Sequence, residues 1–395
     1  MSREGNTDVF SSDPARRCGL HSHISRRTLL KSMVGAGGLV LLGACGGSSG
    51  SEQSTPPSSS GRSTPGASDP GRFSGQTLVV NGYGGEWEDL FTTVIKEPFE
   101  ERYGVTITID PSGSAAEDYA KLRASQGDPG WDVVVFTAQE PVQAAKEDLL
   151  LPITEDRVPN LANVFPALRE VVGEYGVAHE VQYMSLMYNT DQFSTPPDSW
   201  SVFWDEANTG HILLFDPANI IGVFFLFMAA QVHGGNLENL EPGFAALEEL
   251  KGRTVAIPIS SADAVPYMER GDVWIMPYWD GRAGVYQSQG LPYDFVIPNE
   301  GSVALVNALA IPKGAPNPDL AYEFINFWLD PAIQSEWSQA YHVGPSQPNV
   351  SLPADFSEKH ITSEEQLSQL IQPDYDFVAE NRPQWTERWR RIFSN

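Results

Sequence analysis

The segment Asp132-Val133-Val134-Val135-Phe136 constrains the fold more than any other. Four apolar residues follow one aspartate with no polar alternation, so both faces of the strand they form must be buried. That is the pattern of a parallel strand covered by helices on each side. The preceding segments agree. Thr77-Leu78-Val79-Val80-Asn81 is a short apolar run ending in the turn Gly82-Tyr83-Gly84-Gly85. Trp87, Leu90, Phe91, Val94 and Ile95 then recur at helical spacing. Residues 105–109 alternate and are β-branched, which predicts a strand, and a polar helix is expected around 115–124. The β-α-β-α-β order predicts a doubly wound α/β sheet with ligands at the carboxyl ends of its strands.

The rest of the chain repeats this class less regularly. Residues 184–188, 272–277, 295–298 and 303–311 read as strands. Residues 220–232, 244–250, 321–329 and 333–341 read as helices. Trp385 and Trp389 lie four apart, on one face of a terminal helix within 374–393. A single core stops growing at ~250–300 residues, so a chain of 395 predicts two lobes.

The first 75 residues read as an address and a tether. Ser25-Arg26-Arg27-Thr28-Leu29-Leu30-Lys31 resembles a twin-arginine export signal. The apolar run that follows, 33–44, is shorter than the ~20 residues a membrane span needs, and reads as the core of a signal peptide. It ends in Leu42-Gly43-Ala44-Cys45, which matches the bacterial lipobox. Residues 1–44 are therefore expected to be removed and Cys45 to carry lipid, two or three acyl chains being needed for stable anchoring. Residues 45–75 form the lipidated cysteine and a Gly/Ser/Pro linker that cannot bury a core.

Charge and cysteine usage exclude whole classes. The chain carries 25 Lys+Arg against 51 Asp+Glu. Removing 1–44 takes six basic and three acidic residues and leaves a net charge of −29. Such a surface repels nucleic acid, which needs basic residues to displace its counterions. Cys18 leaves with the signal and Cys45 is blocked, so neither a disulfide scaffold nor thiol catalysis is available. No G-x-S-x-G, no metal-ligand spacing and no adjacent Tyr-Tyr pair is present. No cofactor is expected. A secreted hydrolase using two of the many acids with aromatic platforms is the rival from another class.

The order of several motifs resembles the extracellular solute-binding proteins of ABC importers, in the spermidine/putrescine-binding branch. They are Pro98-Phe99-Glu100, Tyr103-Gly104-Val105, Trp131-Asp132-Val133-Val134-Val135, Tyr188-Asn189 and Ser199-Trp200. Pro266-Tyr267-Met268-Glu269-Arg270-Gly271-Asp272-Val273 and Ile297-Pro298-Asn299-Glu300-Gly301 follow. Ala310-Ile311-Pro312-Lys313-Gly314-Ala315 then leads into Phe324-Ile325-Asn326-Phe327-Trp328-Leu329. The resemblance implies a type II periplasmic-binding fold of two doubly wound α/β lobes joined by a hinge. It also implies a monomer on the outer side of the cell membrane that closes on a small solute and delivers it to a membrane permease and its ATPase. The expected division is 76–182 plus 281–306 for one lobe, 183–280 plus 307–341 for the other, and 342–395 as a C-terminal segment.

The resemblance also implies site residues. Tyr83 and Gly84 lie in the turn after the first strand, which is either a ligand-contacting turn or an ordinary one with glycines for geometry. Thr137 and Gln139 match the family's cleft loop. Tyr183 lies near a lobe crossing and either faces the cleft or packs the hinge. Trp279-Asp280 is the best pair, an indole face and a carboxylate that together suit an ammonium group; the alternative is a buried Trp with a capping Asp. Asp216 matches an acidic position and could equally start the helix that Pro217 begins. Where many members have Trp and Asp, this chain has Leu305 and Asn307, and after Asp216 it has Asn219 and Ile220. A pocket with few carboxylates leaves a diamine unpaired. The expected solute is therefore polyamine-like, a singly charged amine or amino-acid-like; a vitamin or metal chelate is the alternative cargo.

Overall fold

Strand β1 (Thr77–Tyr83) lies parallel to β2 (Thr106–Ser112), Thr77 facing Thr106 and Tyr83 facing Ser112. The helical stretch between them brings Trp87, Phe91, Ile95 and Phe99 into one core with the fully buried Leu78 and Val80. The structure, a computed structural model, describes residues 70–112 and 114–394. The signal peptide, Cys45 and nearly all of the linker lie outside the described residues. Strand β3 (Val134–Thr137) joins β1 through the parallel bridge Val80–Val133, and the Val135 N–H donates to Asn81 Oδ1 at 2.5 Å.

After the short β4 (Leu150–Leu151) comes β5 (Val177–Asn189), thirteen residues buried throughout. A second sheet follows, in which β6 (Ile212–Leu213) lies between β7 (Thr254–Ala256) and β8 (Ile275–Trp279), all parallel. β9 (Tyr293–Val296) and β10 (Ser302–Pro312) complete the set of longer strands. The part of β5 up to Tyr183 pairs antiparallel with β10, and the part from Met184 onward pairs with β8 and β9. β10 pairs onward with β3 through Asn307–Ala310. β5 and β10 are thus the two strands that pass between the sheet of β1–β3 and the sheet of β6–β9.

This topology corrects the expected lobe division. Residues 281–306 stay with 183–280, because β9 pairs with Leu186–Asn189 of β5. Residues 307–341 stay with 76–182. Their helices Pro318–Trp328 and Pro331–Tyr341 set Trp328 against Phe91 at 5.4 Å, Phe324 against Phe99 at 5.1 Å and Trp337 against Trp87 at 6.1 Å. Each such pair contributes ~0.5–1.5 kcal/mol beyond its buried area. The chain enters the second sheet through β5 and first leaves it through β10; the terminal helix later returns to it.

Helix Ile220–Val232 has ten buried residues of thirteen, as expected of a helix apolar on every side. The terminal helix Tyr375–Phe393 buries Trp385 and Trp389, with Trp385 edge-on to Phe227 at 5.7 Å. Its start reaches the first sheet's helices: Gln143 Nε2 donates to Asp376 Oδ1 at 2.8 Å. Among the described residues no helix is long and apolar enough to cross a membrane.

Candidate functional site

The carboxyl ends of β1, β3 and β8 and the crossing parts of β5 and β10 bring polar side chains together. Asn307 of β10 is the register partner of Thr137 on one side and of Glu180 in β5 on the other. Directly opposed residues point to the same face of a sheet, so these three form a row across three strands. Glu180 is fully buried and its carboxylate accepts from Asn307 Nδ2 at 2.6 Å, Gln182 Nε2 at 2.9 Å and Trp337 Nε1 at 2.6 Å. Burial raises its pKa above the ordinary glutamate value, while the three donors pull the other way. Three donors and no acceptor suit an ionised carboxylate, which has no proton to place.

At the other end of the row, Glu140 accepts from the Thr137 hydroxyl at 2.6 Å and from the Thr137 N–H at 3.0 Å. Burial raises its pKa also. Tyr83, the last residue of β1, is half-buried within the electrostatic reach of both acids. Its hydroxyl pKa is raised first by burial, then by Glu140, Tyr341, Glu180 and Asp118. Tyr375, the first residue of the terminal helix, is raised by burial and then by Glu140. Among the described residues no lysine or arginine pairs with Glu140 or Glu180. The cluster is therefore a patch of aromatic rings under negative potential, a setting that favours an ammonium group.

The turn after β1 is shaped by its glycines. Gly85 has φ +69, which side chains rarely adopt, and a Cβ on Gly82 would come within 2.3 Å of the Trp87 ring. Gly84 is exposed, and a Cβ there would meet nothing. Gln139 opens helix Gln139–Lys146 and lines, with Tyr375, a cavity of about 240 Å³.

Trp279 and Asp280 part company. Trp279 is half-buried, edge-on to Phe224 at 6.0 Å, and opposes Met184 in register. Asp280 has no exposed surface; it accepts from the Tyr183 N–H at 3.1 Å and lies 3.1 Å from His360 Nδ1. It stands at the first position of helix Asp280–Ser288, where a carboxylate suits the helix dipole, the N-cap position itself being Trp279. Tyr183 is likewise buried, its hydroxyl donating to Lys359 O at 2.6 Å, so it packs the crossing. Asp216 is held by Arg390 through two bonds of 2.8 and 3.0 Å and also accepts from the Ala218 N–H. In this arrangement the carboxylates of Asp280 and Asp216 are already occupied by protein partners, and neither is offered to a solute.

Glu140, Glu180, Gln182, Trp337, Tyr341 and Tyr375 were not singled out by sequence reasoning. One signal existed. Polar residues such as Glu180 and Gln182 inside the largely apolar run Val177 to Tyr188 mark buried polar groups that must have partners.

Two α/β sheets linked by two adjacent crossing strands, with aromatic and acidic residues at the strand ends, define a two-lobed solute-binding fold. The chain belongs to the bacterial extracellular solute-binding protein family, whose model matches residues 95–363. It is 26% identical over 299 residues to the spermidine/putrescine-binding periplasmic protein of Escherichia coli, covering 74% of this chain and 83% of that one. It is 28% identical over 285 residues to the gamma-aminobutyric acid-binding protein of Pseudomonas aeruginosa, covering 68% and 77%. Its fold matches that of a spermidine/putrescine ABC transporter substrate-binding protein from Streptococcus pneumoniae, with TM-score 0.67 and 20% identity over 80% of this chain and 99% of that one. A lipoprotein of Treponema pallidum matches with TM-score 0.64 and 21% identity, over 80% and 99%.

Proposed function

We propose that this protein is the solute-capturing component of an ABC importer and that its cargo is a small organic amine. The observation that carries the reading is the row Glu140–Thr137–Asn307–Glu180, whose two buried acids have no lysine or arginine partner among the described residues and act together on the Tyr83 ring. The relatives whose names give spermidine, putrescine, cadaverine, agmatine or gamma-aminobutyric acid as ligands all take amines, which supports this class. With Asp216 and Asp280 held by protein partners, few carboxylates remain for a polyamine, and a cargo with one ammonium group fits better. Tyr83, Gly84, Thr137, Gln139, Trp279 and Asn307 are the proposed contacts. The solute is bound and released unchanged, so the protein acts as a carrier and not as a hydrolase.

The test is thermal unfolding of the body from residue 76 with putrescine, spermidine, agmatine, γ-aminobutyrate and a panel of carboxylates. A true ligand at ~100 times Kd adds ~2.7 kcal/mol; a panel in which only non-amines stabilise would end the amine reading. Trp279→Ala is expected to weaken amine binding at least ~tenfold, ~1.4 kcal/mol, with little change in melting. Undiminished affinity would move the pocket away from β8.

The lipid anchor belongs to the same proposal. Cys45 in Leu42-Gly43-Ala44-Cys45 would hold the body to the outer side of the cell membrane through the linker 46–75. Cys45→Ser is expected to shift the protein from the membrane to the soluble fraction on cell fractionation; unchanged partitioning would refute acylation there.

A further inference from the structure

The Asn307 amide has two ends, and one is already committed. Its Nδ2 donates to Glu180 Oε1 at 2.6 Å, so the planar amide must turn Oδ1 away from Glu180. Asn307 is 6% exposed, and no other residue among those described bonds that oxygen. Glu180 stands beside it in the same row, fully buried and held by Trp337 and Gln182 as well, so its orientation does not depend on a solute. A carboxylate that accepts from one end of an amide polarises it and strengthens the acceptor at the other end. In a dry wall its charge acts over several ångströms with little screening.

We propose that Glu180 is the specificity-determining positioning residue of the site: it fixes Asn307 with Oδ1 as the exposed acceptor and supplies, from its buried place beside Asn307, the negative charge for one ammonium group of the solute. The inference rests on the amine reading above. It assigns the role of charge partner to a residue of the crossing strand that does not touch the solute. Acting through the neutral amide, the Glu180 carboxylate balances one cationic centre of the solute.

The experiment is calorimetric titration of putrescine, agmatine and γ-aminobutyrate into the wild-type body, E180Q, N307L and the double variant E180Q/N307D, each checked for folding by its melting profile. E180Q is expected to lose about 30-fold in affinity for whichever amine binds the wild type. E180Q/N307D, which moves the carboxylate to the neighbouring position of the row, is expected to recover to within about threefold of the wild type. A merely structural role for Glu180 predicts no such recovery. If E180Q does not fold, N307L decides: it is expected to lose amine binding, and wild-type affinity in N307L overturns the proposal. Wild-type affinity in a folded E180Q, or a double variant no better than E180Q, overturns the Glu180 assignment and leaves the amine reading standing. A wild-type body that binds none of the three amines overturns the amine reading and this inference with it.

Discussion

Lowering the pH from 7 to 5 is expected to cost the folded protein about 2 kcal/mol through His179 alone. This residue of β5 is 1% exposed, and neither ring nitrogen has a hydrogen-bond partner, the nearest carboxylate oxygen being Glu180 Oε2 at 3.6 Å from Nδ1. Burial pushes its pKa down to about 3. The unfolded chain titrates near the ordinary value of ~6.5, so between these pH values the unfolded state binds the proton and the folded state does not. The stabilising term is therefore intact above about pH 6.5 and is lost progressively as the pH falls towards about 3. Glu140, Glu180 and Asp280 carry raised pKa values and act in the opposite sense, favouring the folded state as they become protonated. The comparison that isolates His179 is urea unfolding of the wild type and His179→Leu at pH 7 and pH 5. The variant should lose about 2 kcal/mol less over that interval. Equal pH dependence in the two proteins would sink the assignment.

Trp337→Ala is expected to destabilise the body by about 3–5 kcal/mol, the usual cost of removing a fully buried large aromatic side chain. Two causes combine at this position. The indole packs edge-on against Trp87 at 6.1 Å and Trp328 at 5.5 Å, and its Nε1 is the donor on Glu180 Oε2. Trp337→Phe separates them, because it keeps most of the ring and removes only the donor. Its expected cost is about 1–3 kcal/mol, the price of leaving a buried acceptor short of a partner. Urea midpoints of the two variants measure both terms. A Phe variant as stable as the wild type would mean that the indole N–H contributes nothing to holding Glu180.

The first sheet was legible because each of its segments announces itself locally. The run Val133 to Phe136 can only be a doubly covered strand, and helices Ala115–Ala124 and Ile220–Val232 have the predicted bounds. The length of β5 was not legible. Its first half carries His179, Glu180 and Gln182, which break the apolar pattern, and their burial depends on Asn307, Trp337 and the ring of Trp328 far away in sequence. The lobe division failed for a related reason. Which sheet a segment joins is decided by strand pairing, and nothing local to Tyr293–Val296 states that it will lie beside Leu186–Asn189. The site shows the same limit. The resemblance singles out Asp216 and Asp280, but only the fold reveals that Arg390 and His360 sit beside them.

The two passages between the sheets run side by side and are tied to each other by backbone pairing, Ala304 with Tyr183 and Val306 with Val181. Two ribbons stitched along their length bend together like the spine of a book; twisting one half against the other would shear the stitches. Bending across the stitched line is thereby favoured over twisting, and the terminal helix, which touches helices of both halves, is a third tie between the pages.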